Sequence, residues 1–275
     1  MRILVTNDDG INSVGLHRLA QAMRPHGEVV VVAPDREFSG ASSAIGAIWD
    51  FEPHITRATI EGIDEVWTVN GPPALCVLYA SLGLFDEPFD LVVSGINPGA
   101  NVGRSVYYSG TVGACLAARN AGWSGVAVSQ ATDGWAGIDG QVWSDVLRNQ
   151  RWDAAVVAAD AFVGALVKEM PTDPVVVNLN VPNLDPEEIV GWRRTEVGDL
   201  PPWALTKAHL VDKADHEGCY GVQIDWGEKL PLPPDTDGGT VNEGCVSVTY
   251  LSRLDADHRT DLAAPEQALS NRFGL

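Results

Sequence analysis

Short runs of β-branched and aliphatic residues recur along the first two-thirds of the chain, and most are followed by residues at helical spacing. The first run is Ile3-Leu4-Val5-Thr6. A polar, Gly-containing turn over 7–12 follows it, and then Leu16, Leu19, Ala20 and Met23 fall on one helix face. Runs of the same kind occupy 29–33, 66–69, 90–94, 126–129 and 175–179, and helices are predicted over 73–82, 110–120 and 154–168. Parallel strands need long crossovers, usually helical, so the alternation predicts an α/β fold with a Rossmann-like, mostly parallel sheet flanked by helices. Strands apolar along their whole length are covered on both faces, which again favours parallel pairing.

Past Pro182 the pattern changes. Residues 183–245 are richer in Pro, Asp, Glu and Trp, with a turn signal at Asp237-Gly238-Gly239, and 246–251 is strand-like again. This divides the chain into an α/β core over 1–182 and a β-rich accessory extension over 183–275, whose strand 246–251 returns to a sheet. Residues 44–65 alternate weakly and read as a hairpin-type excursion. Residues 130–150 read as a Gly- and Trp-rich loop, and the stretch with Asp255, Asp257, His258 and Arg259 as surface or partner-docking chain.

Charge narrows the partners. With 18 basic and 37 acidic side chains among 275 residues the formal charge is -19, a field that repels long nucleic acid and anionic membranes. The same field repels a small phosphate ester, so a site for one needs a local cation to reverse the sign. The N-terminus lacks the apolar segment of a secretion signal and no run is long enough to span a bilayer, which places the protein in the cytoplasm. Cys76, Cys115, Cys219 and Cys245 have no paired spacing and read as buried, reduced thiols. His17, His26, His54, His209, His216 and His258 show no metal-ligand spacing and read as structural or solvated.

In parallel α/β sheets ligands bind beyond the carboxyl ends of the strands. Three polar loops lie there: Asn7-Asp8-Asp9-Gly10, Ser39-Gly40-Ala41-Ser42, and Gly95-Ile96-Asn97-Pro98-Gly99. Adjacent carboxylates repel unless a cation lies between them, and hard divalent ions prefer carboxylate, hydroxyl and amide oxygens. Asp8 and Asp9 would supply the charge, with Ser39 and Asn97 as neutral oxygen donors. Each has an ordinary reading alone, Asp8-Asp9 as turn and helix cap, Ser39 and Asn97 as loop hydrogen bonders; convergence of the three loops makes a metal site competitive. Ser109-Gly110-Thr111 opens a helix, either as a phosphate cradle or as an N-cap.

These motifs together resemble the SurE family of survival-protein nucleotidases. The resemblance is carried by Arg2 through Ile11, by Val32-Ala33-Pro34-Asp35-Arg36 with Ser39-Gly40-Ala41-Ser42, by Ser94 through Asn101, and by Tyr108-Ser109-Gly110-Thr111-Val112. It implies one divalent ion, magnesium or manganese, held by Asp8, Asp9, Ser39 and Asn97, with Asp8, Asp9 and Asn97 catalytic. Asn7, Gly40, Ser42, Asn101, Ser109, Gly110 and Thr111 become the expected substrate-binding set. The implied activity is hydrolysis of nucleoside 5'- and 3'-monophosphates by metal-activated water without a covalent phosphoenzyme, in a homodimer or homotetramer built through the extension. The chain departs from the family pattern at Pro72 and Leu75, where a hydroxyl and a carboxylate are usual.

Two enzyme alternatives fit poorly. A dehalogenase-type phosphatase needs aspartates two residues apart, which neither Asp8 nor Asp9 satisfies, and a dinucleotide enzyme needs G-x-G-x-x-G in the first βα turn. A third reading, a nucleotide or metal sensor without turnover, takes its support from Pro72 and Leu75.

Overall fold

The computed structural model describes residues 1–46, 52–133, 142–200, 203–213, 218–254, 256 and 260–274. Its centre is the strand β1 (Arg2–Thr6), wholly apolar or uncharged after Arg2 and buried along its length. β2 (Glu28–Pro34) lies parallel on one side, with Ile3 opposite Val29, and β5 (Leu91–Pro98) lies parallel on the other, with Ile3 opposite Leu91. Beyond β2 come β4 (Glu65–Val69) and the short antiparallel edge strand β3 (Ile55–Arg57). Beyond β5 come β6 (Ser124–Gln130) and β7 (Val176–Val181), both parallel.

Side chains alternate across β1 and build two cores. Ile3 and Val5 pack with Leu16, Leu19 and Met23 of α1 (Val14–Met23) and Ala155, Ala159 and Val163 of α5 (Asp153–Leu166). Leu4 on the opposite face packs with Leu75 and Val77 of α2 (Pro73–Ser81) and Ala114 and Ala118 of α3 (Gly110–Asn120). Burial of each large aliphatic side chain is worth roughly 1.5–3 kcal/mol, so a helix on either face is the stable way to cover such strands. α1 sits tightly on the end of β5: a Cβ on Gly15 would lie 2.1 Å from the Ile96 carbonyl oxygen.

Chain order fixes where a ligand can bind. From β1 the chain proceeds outward through β2 to β4, then returns to place β5 against the other side of β1 and continues to β6 and β7. The direction of winding reverses between β1 and β5, and the crevice beyond their carboxyl ends is the expected ligand position. Residues 7–9 and 97–101 lie at that crevice.

The accessory residues share this sheet. β11 (Cys245–Leu251) pairs antiparallel with β7, and β8 (Gly191–Thr195) pairs parallel with β11, giving nine strands in the order β3-β4-β2-β1-β5-β6-β7-β11-β8. β9 (Trp203–Asp212) and β10 (Tyr220–Lys229) form a separate antiparallel hairpin. Three further helices are α4 (Trp143–Arg148), α6 (Asp237–Asn242) and α7 (Ala263–Phe273).

Several local readings change. β5 continues to Pro98 although a loop is expected from Gly95, because Asn97 and Pro98 keep their ladder with Ser129 and Gln130 after a register shift. The turn expected at 237–239 is the first turn of α6: Thr236 Oγ1 accepts from Gly239 N, and Gly239 lies where any Cβ would strike the Pro233 carbonyl. Cys219 is exposed, whereas Cys76, Cys115 and Cys245 are buried as expected. The excursion over 44–65 falls partly on 47–51, and the loop over 130–150 partly on 134–141, outside the described residues. Asp255, Asp257, His258 and Arg259, with His216, also lie outside them. Among the described residues no helix is long and apolar enough to cross a membrane.

Candidate active site

Asp8 is firmly anchored at the crevice. It is 3% exposed, and its carboxylate takes two bonds from the start of α3: Thr111 Oγ1 donates to Oδ1 at 2.6 Å and Gly110 N to Oδ2 at 3.1 Å. Gly110 must be glycine for this approach, since a Cβ there would lie 2.7 Å from Asp8 Cβ and 2.8 Å from Oδ2. The helix start read as a phosphate cradle thus directs its first donors at Asp8. Ser109 remains its N-cap, its Oγ accepting from Val112 N at 3.1 Å.

Asp9 stands in the opposite condition. Its Oδ2 is buried and accepts from nothing among the described residues, and neither does the buried Asn7 Oδ1, whose amide nitrogen donates to Gly10 O. Burial raises the Asp9 carboxyl well above its ordinary range, and the charges of Asp8 and Glu37 push it further. Burial also raises Asp8, against the lowering effect of its bonds from Thr111 and Gly110. Two mutually repelling carboxylates, one buried and the other with a buried, unpartnered oxygen, are costly as they stand, and a shared cation relieves the cost.

The second loop reaches this pair through its backbone. Phe38 N donates to Asp8 O at 2.7 Å and Ile11 N to Pro34 O at 2.8 Å, tying the ends of β1 and β2 together. Ser42 N donates to Tyr108 O, and Gly113 packs so closely that a Cβ would lie 2.1 Å from Ser42 O. Gly40 has φ +82° and Ser42 +52°, so the loop turns twice through left-handed backbone, which suits a glycine at the first position. Ser39 is exposed and donates its hydroxyl to Glu37 Oε1 at 2.8 Å. Glu37 was absent from the residues expected from sequence. Its place between Arg36 and Ser39, in a loop already assigned to the site, was the available signal.

Asn97, half-buried at the end of β5, donates Nδ2 to Gly99 O at 2.6 Å, which orients the side chain and leaves its oxygen as the available donor atom. Asn101 is held from all sides. Its N donates to Asn180 Oδ1, its Nδ2 to Ser129 Oγ, and its O accepts from Asn178 and Asn180 of β7. It is a loop anchor in this geometry.

Carboxylate, hydroxyl and amide oxygens suit a hard divalent ion. Among the described residues no three His, Cys, Asp or Glu side chains gather as a metal cluster, and the charged groups that could serve as ligands here are the Asp8-Asp9 pair. The unpartnered Asp9 Oδ2 fits that role. Pro72 and Leu75, the departures from the family pattern, begin α2; Leu75 is fully buried in the core with Leu4 and Val30, so this difference is one of packing.

Comparison with known proteins gives a consistent result. The family profile "Survival protein SurE" matches residues 3–201. A 5'/3'-nucleotidase SurE of Cronobacter sakazakii is 37% identical over 256 residues, covering 91% of this chain and 90% of the relative. A 5'-nucleotidase SurE of Acinetobacter baylyi is 37% identical over 268 residues, covering 93% and 94%. The crystal structure of the SurE protein from Aquifex aeolicus superposes with a TM-score of 0.74 at 28% identity, covering 99% of this chain and 100% of that one.

Proposed function

Since the chain belongs to the SurE family, we propose that it is a divalent-metal-dependent phosphomonoesterase that converts nucleoside 5'- and 3'-monophosphates to nucleoside and phosphate. Relatives that bear nucleotidase names and align over nine-tenths of their length support the reaction class. The observation that carries the reading is the Asp8-Asp9 pair at the switch point of the sheet, the buried Asp8 with each carboxylate oxygen bonded and Asp9 with a buried, unpartnered oxygen.

In this reading Asp8, Asp9, Ser39 and Asn97 hold one magnesium or manganese ion. The ion, when bound, supplies positive charge for the phosphate and acidifies a water at neutral pH. Every other contribution comes from the chain. Thr111 and Gly110 hold the Asp8 carboxylate in place, and their bonds favour its charged form against the effect of burial. The Ser109 hydroxyl, which accepts from Val112 N, retains its proton for a phosphate oxygen. Asn7, Gly40 and Ser42 border the same crevice, and Asn101 secures the loop that carries Asn97. In-line attack then needs only positioning and charge neutralisation, as expected for phosphoryl transfer.

The extension accounts for assembly as a homodimer or homotetramer. The exposed Leu210, Val222 and Ile224 on the β9–β10 hairpin and Leu269 and Phe273 on α7 support this, being large apolar side chains without cover in the single chain.

The test is phosphate release from a panel of nucleoside monophosphates with manganese, magnesium or chelator. Release that requires metal is expected. Binding of nucleotide without release under every metal would overturn the proposal in favour of a sensor.

A further inference from the structure

Asp237 is the most heavily bonded carboxylate outside the site. It is 1% exposed, and three backbone N–H groups converge on it: Gly103 N donates to Oδ2 at 2.9 Å, Gly198 N to Oδ1 at 3.1 Å, and Gly238 N to Oδ1 at 2.8 Å. Its own N donates to Glu196 O at 2.9 Å. The surroundings are close-fitting: a Cβ on Gly103 would meet Leu200 O at 2.2 Å, and one on Gly238 would meet Leu232 Cδ1 at 2.5 Å. No aliphatic side chain could gather these donors, and among the described residues no Lys, Arg or His pairs with Asp237, so its partners there are backbone N–H groups.

What it gathers leads directly into the crevice. Gly103 begins the 3-10 segment Gly103–Tyr107, which runs through Tyr108 into Ser109 and the helix start that grips Asp8. The connection from β5 to α3 is fastened at Asn101 by the asparagines of β7, at Gly103 by Asp237, and at Gly110 and Thr111 by Asp8. Between the last two anchors Arg104, Tyr107 and Tyr108 are exposed, and the stretch is otherwise held by Val106 against a small apolar cluster and by Ser42 N on Tyr108 O. The geometry points to Asp237 as a positioning residue for the phosphate site, fixing the 103–109 segment so that Ser109, Gly110 and Thr111 meet Asp8 and the substrate in register. It rests on the reading of that crevice as a phosphatase site, and it gives α6, which follows the matched residues 3–201, a part in catalysis.

The variant that isolates the contact is Asp237→Asn. An amide keeps one acceptor oxygen but places an NH2 against at least one backbone N–H, either that of Gly103 or those of Gly198 and Gly238. Thr236→Ala is the matched control, since it removes the cap of the same short helix without touching Gly103. Full-length wild type, D237N and T236A are compared by melting temperature and by kcat and KM for a nucleoside monophosphate at saturating manganese. The expected result is a fall in kcat of at least tenfold for D237N with KM changed less than threefold, while T236A lowers the melting temperature and keeps its kcat. Wild-type kcat in D237N, or kcat losses in the two variants that merely follow their melting temperatures, would overturn the assignment.

If D237N does not fold, hydrogen exchange on the wild-type protein decides. Manganese with inorganic phosphate should slow exchange of the amides over 103–111, including that of Gly103, and unchanged exchange there would count against the positioning role. Absence of any metal-dependent phosphate release by the wild type would instead refute the phosphatase reading, leaving the exchange experiment to judge Asp237.

Discussion

Thr111→Val replaces a hydroxyl by a methyl of similar size and removes one bond, the 2.6 Å donation to Asp8 Oδ1. Thr111 is fully buried, so no water replaces the lost donor without rearrangement. A hydrogen bond to a buried charged group is worth about 1.5–3 kcal/mol, and at about 2–4 °C per kcal/mol for a chain near this size the melting temperature should fall by roughly 3–12 °C at neutral pH. The pH dependence has a definite sign. The bond stabilises the ionised carboxylate and lowers a pKa that burial raises, so its contribution is present where Asp8 is charged and disappears as pH falls through the folded-state pKa. The gap between wild type and T111V should therefore close on acidification. Thr111→Ser, which keeps the hydroxyl, should restore most of the stability and of the metal-dependent activity. Calorimetric melting of metal-free protein across pH, with phosphate release measured in parallel, tests both parts. If T111V melted within a degree of wild type at neutral pH and turned over normally, the anchoring of Asp8 by α3 would be wrong.

Further outcomes follow from the same contacts. Asp9→Asn removes a carboxyl that burial, Asp8 and Glu37 all hold above its ordinary pKa; because raised-pKa carboxyls lose stability as pH rises, the metal-free variant should melt higher than wild type at neutral pH while losing most of its turnover, and a lower melting temperature would contradict this. Manganese at 100 times its dissociation constant should stabilise wild type by about 2.7 kcal/mol and D9N far less, read from melting with and without chelator. Gly113→Ala places a methyl 2.1 Å from Ser42 O; overpacking of this kind costs about 1–3 kcal/mol, and displacement of the 39–42 loop should raise KM for a nucleoside monophosphate.

Much of this was legible in the chain because strand and helix here are set by burial. The strands β1, β2, β5, β6 and β7 are buried almost throughout and each carries a short aliphatic stretch, while β4 shows only the β-branched and aromatic Val-Trp-Thr-Val. β8 was not legible: Gly-Trp-Arg-Arg-Thr has four exposed residues, and its strand character comes from pairing with β11. The β9–β10 hairpin and α7 were hidden for a related reason, since Leu210, Val211, Val222 and Ile224 of the hairpin and Leu269 and Phe273 of α7 are exposed and burial in the single chain sets no pattern on them. At the site, residue type and strand-end placement singled out Asp8, Asp9 and the three loops as candidates. Sequence could not assign partners, so the helix start at Ser109 did not reveal that its donors serve Asp8. Nor did a carboxylate 134 positions from Gly103 show that it holds the same loop.

The central claim is that oxygens of Asp8, Asp9, Ser39 and Asn97 share one hard cation. Crystals grown with manganese and measured at a wavelength where manganese scatters anomalously would show it directly. A single anomalous peak is expected at the carboxyl ends of β1 and β5, bonded to both aspartates and within coordination distance of Ser39 and Asn97. A peak elsewhere, or bound metal that leaves Asp8 and Asp9 unligated, would contradict it.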